Sequence, residues 1–148
     1  MSSQEVEARQ PFVIRRGEGE RLPSIGTLSL PDAQTGRAFE VIEYTGPATP
    51  PSHVHKHHDE VFYVVEGSFS FVLGHDVVEA PEGTLVFVPR TTRHGFTVEP
   101  GSRALLFIIP GGLEGFFRDL GAGLAAGKTS EEIRADLAGK YDSIPEPD

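Results

Sequence analysis

The sequence predicts an all-β fold, a small sandwich or barrel followed by a short helical C-terminal segment. Two observations carry this reading. From Phe12 to Ile109, short β-type runs are separated by turn residues, drawn from 17 glycines and 12 prolines in the chain. After Pro110 the apolar residues change to helical spacing.

The elements follow in order. Residues 1–11, which open with the polar run "MSSQEVEARQ", are expected to form a flexible arm. The expected strands are "FVI" (12–14), "IGTLSL" (25–30), "RAFEVIEYT" (37–45), "EVFYVVEG" (60–67), "SFSFVLG" (68–74), "TLVFVP" (84–89), "HGFTVEP" (94–100) and "ALLFIIP" (104–110). Several alternate with a period of two, so that Phe62/Val64, Phe69/Phe71/Leu73 and Leu105/Phe107/Ile109 each line one face. Tyr63 then faces outward or into a partner. Gly67 and Gly83 suit turns that need positive φ or a close backbone approach. Pro50, Pro51 and Pro89 stiffen strand entries.

In the tail, Leu113, Phe116, Phe117, Leu120 and Leu124 fall at helical spacing, weakened by five glycines in "GGLEGFFRDLGAGLA". "TSEEIRADLAGKY" is the stronger helix: Thr129 and Glu132 fit a capping box, Ile133 and Leu137 share a face, and Gly139 offers a stop. The end, "DSIPEPD", reads as frayed. The organisation is therefore an arm (1–11), a β-unit (12–110) and a helical segment packing on it (111–148).

Composition narrows the function. A length of 148 residues suits one core. A net charge of −9 repels phosphate backbones and argues against nucleic-acid binding. The longest apolar run, Ala104–Pro110, is far short of the ~20 residues that span a bilayer, and the N-terminus lacks a secretory apolar stretch. Zero cysteines exclude zinc–thiolate sites and fit a reducing compartment. The expectation is a cytoplasmic protein with no membrane partner.

"HVHKHH" places four of six histidines in positions 53–58, directly before an apolar strand. In an extended strand His53, His55 and His57 point together and His58 points opposite. Imidazoles two apart can close on one metal ion, a carboxylate follows at Glu60, and His94 begins a later strand after a loop. His58 and His75 read as surface residues.

The residues around these histidines closely resemble the two cupin motifs. "G46-x6-HVH-x4-E60-x6-G67" matches the first with one extra residue before His53, and "G83-x5-P89-x-T91-x2-H94" matches the second. Thr91 replaces the usual Gly, and Val98 stands where Asn is common. The resemblance implies a double-stranded β-helix (cupin or jelly-roll barrel) in which His53, His55, Glu60 and His94 ligate one divalent transition metal ion. His57 is the rival to His53, although a set built on it shortens the gap before Glu60. The ion could be Fe, Mn, Co, Ni, Cu or Zn, since ligand type does not select among them. Glu60, swung off the metal, would serve as general base. Phe62, Val64, Phe71, Phe96 and Phe107 are candidate linings of a substrate pocket.

Within the superfamily, "PPSHVHKHHDEVFYVVEGSFSFVLG" and "FIIPGGLEGFFRDLG" resemble the quercetin dioxygenase-type monocupins. That resemblance implies a dioxygenase using O₂ on a flavonol-like or other enolisable aromatic substrate. The alternatives are a non-redox isomerase, cyclase or decarboxylase acting on a polyketide or keto acid, and a non-catalytic small-molecule-binding cupin. The helical tail would lie over the barrel mouth. Arg90, Arg93 and Arg103 read as exposed cations. Apolar sheet edges and the cupin resemblance imply a homodimer.

Overall fold

The computed structural model describes residues 9–147, so most of the expected N-terminal arm (residues 1–8) lies outside the described residues. Eleven strands and two helices follow: β1 (Glu20–Leu22), β2 (Gly26–Leu30), β3 (Glu40–Tyr44), β4 (His53–Val54), β5 (Asp59–Glu66), β6 (Ser68–Leu73), β7 (Asp76–Pro81), β8 (Leu85–Val88), β9 (His94–Val98), β10 (Arg103–Ile109), α1 (Glu114–Ala125), α2 (Ser130–Leu137) and β11 (Ile144–Pro145). They form a six-stranded sheet, β1-β2-β3-β10-β5-β8, facing a five-stranded sheet, β11-β4-β9-β6-β7. All paired strands are antiparallel. This is the all-β jelly-roll architecture the sequence predicts, with the helices at its C-terminal end.

The period-two alternation fixes which side chains enter the core. On β5, Glu60, Phe62 and Val64 point in and Tyr63 points out; on β6, Phe69 and Phe71 point in. Between these strands the chain changes sheets at Gly67, where φ is 77° and a Cβ would lie 2.2 Å from Ser102 Oγ. Only glycine fits there. The Ser102 hydroxyl in turn accepts from Ser68 N at 2.9 Å. Inside, Phe62, Phe71 and Phe96 pack edge-on or tilted, with ring centroids 4.9–5.4 Å apart.

Two expectations are corrected, and strand β7 is added. "FVI" (12–14) is irregular chain, because neither neighbouring sheet edge recruits it into a ladder. Strand β7 has an exposed Val77 and Val78, so its pairing with β6 leaves no buried period in "DVVEAP" to read. The tail is ordered. Strand β11 pairs with β4, Ser143 is buried, and Glu146 N donates to Ser52 O at 3.0 Å. The capping box of α2 is present: Thr129 Oγ1 accepts from Glu132 N, and the Glu132 carboxylate accepts from Thr129 N. Helix α1 buries Phe116, Phe117 and Leu120 despite its glycines.

A candidate metal centre under a helical roof

The site is built where three strands present inward polar side chains. His53 on β4 stands directly opposite His94 on β9, Glu60 is the first inward residue of β5, and His55 follows the end of β4. All four are buried, between 1% and 5% exposed. Their ligand atoms lie within 4.8 Å of one another. Glu60 Oε1 is 2.6 Å from His55 Nε2 and 2.8 Å from His94 Nε2.

The outer ring nitrogens are all spent on the backbone. His53 Nδ1 donates to Pro51 O at 2.8 Å, His55 Nδ1 to Asp142 O at 2.6 Å, and His94 Nδ1 to Thr92 O at 2.8 Å. With Nδ1 carrying the proton, each Nε2 turns a lone pair toward the shared centre, the arrangement that orients metal-ligating histidines. His55 Nε2 is also a buried atom with no well-formed hydrogen bond, despite its short approach to Glu60. Three imidazoles and one carboxylate with this geometry fit a divalent transition metal.

Electrostatics follow from burial and crowding. Burial pushes the Glu60 carboxyl up, but the imidazoles of His55 and His94 overcome it and hold the group well below its ordinary value. Burial pulls His55 down, and Glu60 outweighs it, so His55 is raised. Burial, with His94 and His55 beside it, drives His53 well below its ordinary value.

His57 falls outside this cluster and is exposed. The reason is the C-terminal tail. The Asp142 carboxylate accepts from Lys56 N and His57 N, both at 2.7 Å, and pairs with His58 Nδ1 at 2.6 Å. These contacts bend the chain after His55, so the two-residue period that groups His57 with His53 ends there. His58 is half-buried on Asp142, and His75 is exposed.

A small cavity of about 10 Å³ adjoins the cluster, lined by Tyr44, Phe96, Phe116, Phe117 and Arg134 together with Pro50, His53, His55 and Glu60. Of the expected lining, Phe96 is present. Phe62, Val64 and Phe71 are fully buried core, and Phe107 is on the outer face, 6.4 Å from Phe39. On β10 it is Ala104, Leu106 and Ile108 that point inward; every residue of "ALLFII" is apolar, so the sequence offers no contrast from which to read the face. Tyr44, Phe116, Phe117 and Arg134 were not legible as site residues. Both helices roof the cavity. Arg90 pairs with Asp59, Arg103 with Glu43 and Glu66, and Arg93 donates to Gly74 O and Glu146 O, so all three serve the scaffold.

A second acidic group, Asp32, Glu40 and Glu114, is engaged by backbone. Glu40 accepts from Leu113 N at 2.8 Å and Gly112 N at 3.4 Å, and Glu114 accepts from Asp32 N at 3.1 Å. It anchors the start of α1. Burial, with Glu114 alongside, pushes the Glu40 carboxyl up to about 7 despite those backbone donors.

The two sheets form a jelly roll around the inward His/Glu cluster. Residues 40–110 match the cupin domain family (Cupin_2). The chain is 28% identical over 117 residues to the quercetin 2,3-dioxygenase of Bacillus subtilis (strain 168), covering 75% of this chain and 35% of that protein. It thus spans about a third of its curated relative. Among solved structures, Streptomyces Pac13 with uridine is 21% identical with a TM-score of 0.59, over 72% of this chain and 88% of Pac13; a related structure describes Pac13 as a nucleoside dehydratase. The polyketide cyclase RemF from Streptomyces resistomycificus is 24% identical with a TM-score of 0.54, over 68% of this chain and 80% of RemF. Both structural likenesses bear on the fold alone.

Proposed function

We propose that this chain is a metal-dependent cupin enzyme in which His53, His55, Glu60 and His94 hold one divalent transition metal ion. The observation that carries the reading is the convergence of three Nε2 atoms and one carboxylate oxygen, with every Nδ1 already committed to a carbonyl. When bound, such an ion supplies Lewis acidity and, where its redox chemistry allows, activation of O₂. We further propose that the reaction is oxygenation of a flavonol-like or other enolisable aromatic substrate, supported by the likeness to the B. subtilis dioxygenase.

In this reading the protein's own groups divide the work. Glu60 is the one carboxylate among the described residues lining the cavity, so it is placed to accept the substrate's hydroxyl proton. His55 and His94 hold its basicity down, and proton transfer requires it to loosen from one of them. Tyr44 stays protonated, because burial pushes its hydroxyl up, and it donates to Ala48 O at 2.7 Å. Phe96, Phe116 and Phe117 exclude water. A second reading, non-redox chemistry on a keto acid or polyketide, is favoured by the buried guanidinium of Arg134 in the same cavity wall.

Elemental analysis of protein purified without added metal tests the site. About one ion per chain is expected in the wild type and little in His53→Ala or His94→Ala; an even share of a four-ligand site's 10–16 kcal/mol makes each ligand worth roughly 3 kcal/mol. Equal metal content in all three proteins sinks the proposal. An oxygen electrode with quercetin then separates the chemistries. O₂ uptake supports oxygenation, anaerobic turnover supports the second reading, and ligand binding without turnover identifies a binding protein.

The same reading places the protein in the cytoplasm as a homodimer joined through the outer face of the six-stranded sheet. There Tyr63, Leu85 and Phe87 are 42–64% exposed, with Leu85 directly beside Tyr63. Light scattering is expected to give about twice the chain mass of 16.0 kDa, and a value near 16.0 kDa overturns the dimer.

A further inference from the structure

Arg134 is the charged side chain that the scaffold does not explain. It is 4% exposed, and arginines are rarely so buried unless paired. Its Nε donates to Ser130 Oγ at 3.0 Å, and the guanidinium lies 5.4 Å from the centre of the Phe116 ring. Its Nη1 is buried with no partner, and no carboxylate among the described residues lies within ion-pair distance of it. Helix position does not account for this cost, because the adjacent positions Ala135 and Asp136 are exposed and would carry the charge freely.

Its location suggests what the partner is. Arg134 belongs to the wall of the small cavity beside His53, His55 and Glu60, and also to a groove of about 440 Å³ outside it. The groove is lined by Pro51, Pro145 and Pro147, with Ser52, Ser130 and Glu131 at its polar edge. The inner space takes a group no larger than a water, so a ligand that meets the guanidinium lies in the groove with its head against Arg134. Flat proline faces suit an aromatic body. A planar fork of N–H donors suits a carboxylate or enolate head, and a single cation in a chain of net charge −9 is a poor receptor for a phosphate dianion.

We propose that Arg134 is the anion receptor of the site, selecting an aromatic or enolisable substrate whose carboxylate or enolate pairs with the free Nη1 while its ring rests on the prolines of the groove. The proposal rests on reading the inner cavity as the substrate site, and its test is independent of metal. Protein stripped with a chelator is titrated calorimetrically with benzoate and with benzamide, its neutral isostere. Benzoate is expected to bind at least tenfold more tightly. Arg134→Met is expected to reduce benzoate to the benzamide level while its thermal midpoint holds or rises, since a buried unpaired charge is removed; Arg134→Lys keeps the charge without the fork and falls between.

Equal binding of the two probes, or no benzoate binding, overturns the proposal, and this comparison needs only the wild type if a variant fails to fold. A lowered midpoint in Arg134→Met with the benzoate preference intact also overturns it, and assigns Arg134 to the scaffold. Unchanged metal content in the His53 and His94 variants would sink the metal reading and leave the benzoate result standing, so the two failures are distinguishable.

Discussion

The barrel interior has two regions that the same strands build in opposite chemistry. Along the inward face of β5 the chain runs Glu60, Phe62, Val64, and along β9 it runs His94, Phe96. One region gathers His53, His55, Glu60 and His94; the other gathers Phe62, Phe69, Phe71 and Phe96. The aromatic region needs only to exclude water, and its side chains satisfy each other by packing. The polar region cannot satisfy itself. Each imidazole draws on a backbone carbonyl, and His55 Nε2 is left without a good partner. A strand can thus carry function and stability on one face, two residues apart, provided the loops around it supply the carbonyls.

That division can be broken from either side. Phe71 is fully buried with three ring neighbours, so Phe71→Ala is expected to cost about 3–5 kcal/mol of unfolding free energy. Urea denaturation measures it, and metal content should not change. Loss of metal in Phe71→Ala would mean that the two regions are not separable.

The next effect tests how the helical roof is attached. Glu40, under the start of α1, has its carboxyl raised from 4.5 to about 7, mainly by burial. A carboxyl whose pKa is higher in the folded state favours folding when protonated. Its contribution is therefore full below about pH 4.5 and is lost as pH rises through about 7, a change of about 3 kcal/mol. Subtracting the pH–stability profile of Glu40→Gln from that of the wild type should isolate this fall. A flat difference would remove Glu40 from the account of the roof.

The smallest effect concerns a departure from the cupin motif that the sequence resembles. Thr91 occupies a position where glycine is usual, and its φ is 72°, a left-handed value that a β-branched residue adopts at a cost. Its amide donates to His55 O at 2.7 Å, which ties the turn to the His/Glu cluster. Thr91→Gly relieves the backbone but frees the unfolded chain, so a net gain of about 0.5–1 kcal/mol is expected by denaturant titration. A loss would show that the threonine side chain supports the turn.

Much of the barrel was legible because its signals are local. Period two in β5 and β6, glycine at the corner after Glu66, and the Thr129–Glu132 capping box each concern residues within a few positions of one another. The His/Glu set was legible in part, since HxH spacing and a carboxylate ahead of an apolar strand are read in the chain. His57 shares that spacing, and only Asp142, more than eighty residues later, removes it by capturing the amides of Lys56 and His57. The same contacts explain why the tail could not be read. "DSIPEPD" has no apolar period, and its order comes from pairing with β4.

The sequence by itself determined the strand faces of β5 and β6, the sheet-changing turn and the residue types that could meet a metal, because backbone geometry makes those consequences of neighbours. Only the tertiary structure decided which imidazole was excluded, that α1 and α2 roof the site, and that Arg134 is buried in its wall without a partner. Those outcomes depend on segments far apart in the chain competing for the same surface and the same hydrogen-bond donors. No local pattern records which of them wins.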